Sequence, residues 1–194
     1  FRSPLKRDPD AQRKTYAGNT DTDATVLGEA QWRWLEKELN KPADVRVVAS
    51  SIQVVAGEHR FEKWANFPNE RRRIFELIKQ TGANGVVFVS GDRHHLELSV
   101  EPDAAGYPVY DLTASGMNQG STGNKTEANA HRVPGTEAWR DSNVGQIVID
   151  WKGPDTTLTF RGIKAQTGEV LFDHTAKLAD VDAKDLDAVF YPGG

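Results

Sequence analysis

In the run Val86-Val87-Phe88-Val89-Ser90-Gly91-Asp92-Arg93-His94-His95, an apolar, β-branched segment stops at a glycine and opens into an acid, a guanidinium and two imidazoles. A buried strand of this kind delivers polar groups to the carboxyl edge of a sheet. Residues two apart on an extended backbone point the same way, so Asp92 and His94 are expected on one face and Arg93 and His95 on the other. A carboxylate and an imidazole at that spacing can both reach one divalent or trivalent cation, which makes Asp92 and His94 the candidate metal ligands. Gly91 lets the backbone approach a metal or a phosphate closely, because it carries no Cβ. The competing reading is a strand-end cluster of polar side chains held by ordinary hydrogen bonds. Arg93 offers either a guanidinium fork for phosphate or a brace for the loop carboxylates. His95 is a candidate catalytic group, set against the plainer role of a packed, hydrogen-bonded histidine.

The flanking periodicities say what positions this run. Ala30, Trp34, Leu35 and Leu39 recur at helical spacing between Gly28 and Asn40, and Pro42 ends the pattern. Val45 to Ser50 reads as a strand. A second helix starts at Pro68, presents Ile74, Phe75, Leu77 and Ile78, and stops at Gly82. With Val86 to Val89 as the next strand, the order implies a covered sheet of the α/β type. Leu96, Leu98 and Val100 alternate with Glu97, Ser99 and Glu101, as in a strand with one wet face, and Tyr107 to Thr113 continues the sheet. Residues 116–143 carry no periodicity and are long enough for a functional loop or lid. Gln146 to Asp150, Thr157 to Lys164 and Glu169 to His174 read as a β-meander, with turns at Gly153-Pro154-Asp155 and Gln166-Thr167-Gly168. Residues 1–26 read as a surface loop, and residues 180–189 carry a short helical pattern.

Several blocks in order carry a family resemblance: Leu27 to Leu35, Ser50 to Val54, Glu62 to Arg71, Ser90-Gly91-Asp92-Arg93-His94, Leu112 to Gly116 and Asn143 to Trp151. With the opening Phe1 to Lys6, they resemble the carboxyl half of a PhoD-like alkaline phosphatase, a branch of the calcineurin-like metallophosphoesterases. The likeness covers most of residues 1–175, leaving 176–194 as a tail. It implies an α/β (α+β) fold, the second half of a helix-flanked two-sheet β-sandwich. It also implies metal-dependent hydrolysis of phosphate monoesters or diesters, with Asp92 and His94 at the metal centre. Two or more metal ions are implied, iron and calcium first, with zinc, manganese or magnesium as other candidates. The family takes its first ligands from an amino-terminal half, so that half is the implied partner and the chain is expected to be incomplete without it. Export to the periplasm or medium is likewise implied.

The same resemblance places Trp64, Asn66 and Phe67 at the rim of the pocket, where Trp64 would cover a leaving group; a packed core aromatic is the other reading. Gln53, with Ser50 and Ser51, follows the strand that ends near residue 49, and is expected at the same sheet edge. Gln53, Trp64 and Asn66 are thus the candidate substrate-binding residues. Trp32 and Trp34 are expected to be structural, His131-Arg132 to lie in a solvated loop, with an approach to substrate as the other reading, and His59 and His174 at the surface. The alternative to an enzyme is a non-catalytic scaffold half that binds a phosphoanion without turnover. An unrelated β-rich binding module is a third possibility.

Composition agrees with a globular piece. The 194 residues can bury one core, and five tryptophans with 38% hydrophobic residues argue against disorder. A net charge of -4 supplies no basic field for nucleic acid or an anionic membrane. No apolar run approaches a membrane span. With no cysteine, disulfides and thiolate ligands are excluded within this sequence.

Overall fold

The computed structural model describes residues 2–121, 127–153 and 155–178. Elements follow in the order α1 (Glu29–Leu39), β1 (Arg46–Ser50), α2 (Pro68–Thr81), β2 (Val86–Ser90), β3 (Leu96–Glu101), β4 (Val109–Ala114), β5 (Asn143–Asp150), β6 (Thr157–Lys164) and β7 (Val170–Lys177). A single 3-10 turn, Trp64–Asn66, precedes α2. The first four strands form a sheet in the order β1-β2-β4-β3, and the last three form a β5-β6-β7 meander. Strands β1, β2 and β4 are parallel and β3 runs antiparallel to β4. Helices and two sheets together make the fold α+β.

Both helices pack on one face of the four-stranded sheet. Helix α1 buries Trp32, Leu35 and Leu39, whereas Trp34, expected on its inner face, is 38% exposed. Helix α2 has Pro68 in its first turn, buries Ile74, Phe75 and Ile78, and ends at Gly82 in the left-handed region (φ 63°), where glycine carries no steric penalty. Glu70, buried in that first turn, accepts hydrogen bonds from Trp32 Nε1–H, Thr25 Oγ1–H and the Val26 N–H. This carboxylate ties the otherwise irregular residues 2–26 to both helices.

The meander covers the opposite face. Leu96, Leu98 and Leu112 from the first sheet meet Leu158, Phe160 and Phe172 from the second in one apolar cluster. Two glycines let the sheets approach. A Cβ at Gly162 would lie 2.5 Å from Leu96 Cδ2, and one at Gly145 would lie 2.7 Å from Ala114 Cβ.

Three expectations are corrected. β5 starts at Asn143 and β7 runs to Lys177, because ladder pairing with β6 extends past the apolar residues that marked them. The long loop is in part an edge cover: Leu96 and Trp139 exchange both backbone bonds (2.8 and 2.9 Å), Val100 N–H donates to His131 O (2.8 Å) and Val133 N–H to Leu98 O (3.0 Å), which satisfies the free edge of β3. β3 has no wet face, since Glu97 and Ser99 are buried there. The expected helix at 180–189, residues 122–126 of the long loop and Pro154 of the expected turn lie outside the described residues.

Candidate metal and phosphate site

Strands β1, β2 and β4 end side by side, with Ser50 opposite Ser90 and Ser90 opposite Thr113. Residues 91–95 turn across these ends. A Cβ on Gly91 would lie 3.5 Å from the Ser51 carbonyl oxygen and 3.7 Å from Ser115 Cβ, which places the turn between the termini of β1 and β4. In open sheets this carboxyl edge is where ligands bind.

The backbone of the turn is not extended, as the spacing argument assumed. Asp92 and His94 both occupy the left-handed region, at φ 67° and 53°. Non-glycine residues there cost about 1–3 kcal/mol each and persist only when their surroundings hold them. Asp92 and His94 are exposed, while Arg93 and His95 are buried. Among the described residues no hydrogen bond or ion pair engages the Asp92 carboxylate or the His94 ring, so both donors face solvent free. That donor pair suits a divalent or trivalent cation. Two ligands do not complete a site, and among the described residues no group of three or more His, Cys, Asp or Glu side chains could hold a metal ion.

Arg93 is engaged within the protein. Its guanidinium pairs with Glu127 and stacks 4.2 Å from the Phe61 ring centroid. His95 places Nε2 3.5 Å from Glu97 Oε2. Glu97 is the hub of a buried network: Arg132 donates to Oε1 through Nε (2.9 Å) and Nη2 (2.6 Å), and Gln53 Nε2 donates to Oε2 (3.2 Å). Burial alone would raise the Glu97 pKa, but the adjacent His95 and Asn129 side chains and the Arg132 charge hold it at about 2. Arg132 is therefore not solvated as expected, because it neutralises this carboxylate.

Next to this hub, Asp111 accepts the N–H groups of Val54 (2.8 Å) and Val55 (3.0 Å) and the Ser90 hydroxyl (2.7 Å). Complete burial raises its pKa against those bonds. Through Asp111 the segment after β1 is tied to the centre of the sheet. His59 lies in that segment, and it is 7% exposed, not at the surface. Burial first, then the nearby Arg93 and Lys63 charges, lower its pKa to about 3, so the ring is neutral. His174 is half-buried against Tyr110, with Nε2 3.2 Å from the Tyr110 hydroxyl.

The three candidate rim residues are all buried. Gln53 donates to Thr113 Oγ1 (2.8 Å) as well as to Glu97. Trp64 donates from Nε1 to Ser50 Oγ (3.1 Å) and meets Trp32 edge to face at 6.2 Å. It also forms part of the wall of an apolar groove of about 470 Å³ beside β1, with Leu35, Leu39, Val48 and Phe88. Asn66 accepts the Lys63 N–H (2.9 Å) and donates to Tyr16 O (3.1 Å), which fixes the turn before α2. Sequence reasoning missed Glu97, Asp111, Arg132 and His59. The available signal was polar residues at alternate positions of β3 and β4, which are buried here rather than wet.

Comparison with known proteins matches residues 2–152 to the family model described as PhoD-like phosphatase. A solved structure titled "Structure of PhoD" is similar in fold, with a TM-score of 0.56 and 18% identity over 94% of this chain. The matched region spans 42% of the length of that chain. Comparison with curated proteins gave no match.

Proposed function

Because the chain belongs to the PhoD-like phosphatase family, we propose that it forms part of a metal-dependent phosphoesterase acting on phosphate monoesters or diesters. The observation that carries this reading is the turn at the carboxyl edge of β2. It offers an exposed, unengaged carboxylate at Asp92 and an exposed imidazole at His94. The bound metal ions would polarise the phosphoryl oxygens and lower the pKa of a bound water toward neutrality. Iron and calcium are the first candidates by family resemblance, with zinc, manganese or magnesium next.

The chain's own part is to hold two ligands in a fixed turn. The burial of Arg93 and its pairing with Glu127 favour a bracing role over direct contact with phosphate. His95, buried against Glu97, is favoured in the same role. Gln53, Trp64 and Asn66 support the segment after β1 from within, and contact with substrate would fall to groups above them. The remaining ligands come, on this reading, from an amino-terminal half of the same domain. The parallel edge strand β1 and its apolar groove give that half a place to dock. Export to the periplasm or medium remains part of the proposal by resemblance; among the described residues no helix is long and apolar enough to cross a membrane.

The second reading, a phosphoanion-binding half without turnover, is favoured by the two-ligand count. Metal analysis and hydrolysis of a chromogenic phosphate ester separate the two. The enzyme reading expects the 194-residue chain to bind metal weakly and turn over poorly, and the protein joined to an amino-terminal PhoD-like half to be metal-loaded and active. An inactive, metal-free assembled protein contradicts it.

A further inference from the structure

The 91–95 turn carries two left-handed residues and one backbone bond of its own, from the Arg93 N–H to the Gly91 carbonyl (2.8 Å), which spans Asp92 but leaves His94 to be held from outside. The His94 N–H donates to Ser115 Oγ (2.9 Å), and the Ser121 N–H donates to the His94 carbonyl (2.7 Å). The Ser115 N–H also donates to the His95 carbonyl (3.3 Å). Both peptide groups of His94 are thus held by the segment that leaves β4. Ser115 is the residue of this set that acts through its side chain, and it acts on the residue whose φ is 53°.

We propose that Ser115 is a positioning residue for His94, its hydroxyl fixing the left-handed backbone that presents the imidazole to solvent beside Asp92. The hydroxyl oxygen accepts from the His94 N–H and so holds the peptide plane before His94, while the Ser121 N–H holds the plane after it; the two together set the His94 φ and ψ. Arg93, pinned by Glu127 and Phe61, and Ser121 hold the two flanks of the same turn. Ser115 does not touch substrate or metal in this scheme. Its effect reaches the site through the orientation of His94. The inference rests on the metal-ligand reading of Asp92 and His94, but its hydrogen bond is testable apart from it.

The test uses the isotope-labelled 194-residue chain with Ser115→Ala and Ser115→Thr. Amide exchange at His94 should speed up about tenfold in Ser115→Ala and stay near the original rate in Ser115→Thr, which keeps the acceptor. Amides of β2 and β4 should not change in either. Titration with Mn²⁺, read by paramagnetic broadening of the His94 ring signals, should need about tenfold more metal in Ser115→Ala and little more in Ser115→Thr. If Ser115→Ala does not fold, Ser115→Cys, a weaker acceptor in the same place, carries the same comparison. Unchanged His94 exchange in the folded variant overturns the positioning role, as does an equal loss of Mn²⁺ affinity in the Ala and Thr variants. Absence of broadening at His94 in the unsubstituted chain overturns the metal reading and the positioning role that depends on it, while the exchange rates still decide the hydrogen bond.

Discussion

The two faces of the four-stranded sheet differ in kind. The face toward the meander is mainly apolar, built from Val87, Leu96, Leu98 and Leu112 against Leu158 and Phe160, with Tyr110 and His174 as its polar pair. The face toward the helices begins apolar at Val86, Phe88 and Val109 and turns polar toward the carboxyl edge, at Ser90, Glu97, Asp111 and Thr113. The first face stabilises by area removed from water. The second anchors loops: Asp111 holds Val54 and Val55, Glu97 holds Arg132 and Gln53, and both lie next to the 91–95 turn. A buried polar network loses stability when half broken, but it fixes backbone geometry that packing alone leaves free.

The comparison can be broken at either face. Phe160→Ala on the apolar face should cost about 4 kcal/mol in denaturant unfolding, through lost burial and the cavity left behind; a loss under about 1 kcal/mol would mean the sheets are not closely packed. On the polar face, Arg132→Met strands the Glu97 carboxylate and should cost about 3 kcal/mol. Adding Glu97→Gln to that variant should recover part of the loss, and no recovery would remove the ion pair from the account. Gly162→Ala drives a methyl into Leu96 and Phe172, with an expected cost of about 2 kcal/mol.

The smallest effect sharpens the comparison through pH. His59 has its folded pKa lowered to about 3 from an ordinary value near 6.5, so the unfolded chain binds the extra proton between those values. Its contribution to stability is present above that window and is lost as pH falls through it. Glu97, lowered to about 2, adds a loss in the same direction only below its ordinary value of 4.5. Asp111, whose pKa is raised, runs the opposite way, and the half-buried His174 adds a lesser loss in the direction of His59. Between pH 6.5 and 4.5 His59 and Asp111 therefore oppose each other, and His59→Leu should remove the loss of stability on acidification that His59 contributes, so that the slope of stability against pH falls relative to the unsubstituted chain; an unchanged slope would place His59 in water.

The apolar face was legible in the sequence because alternation and helical spacing report burial directly. The meander, both helices and the strand before Gly91 follow from Leu158, Phe160, Leu35, Ile74 and Val86 to Val89. The polar face was not. Glu97, Ser99 and Asp111 look like the wet positions of half-exposed strands, and only tertiary cover by α2, residues 51–66 and the long loop buries them. His59 and Arg132 sit in polar stretches that carry no period, so nothing local marks them as buried. The alternation argument for residues 92–95 fails in its premise, since left-handed turns rather than a strand set the backbone there.

The central claim is that the turn carries two metal ligands for phosphate-ester hydrolysis, and one paired assay tests it most directly. Steady-state hydrolysis of a chromogenic phosphate ester is measured for the protein joined to an amino-terminal PhoD-like half, with His94→Ala and His95→Ala side by side. Loss of a ligand should lower kcat at least about 100-fold for His94→Ala, whereas His95→Ala, acting through the shell behind the turn, should cost about tenfold or less. Equal losses from the two histidines, or full activity in the 194-residue chain alone, would contradict the account.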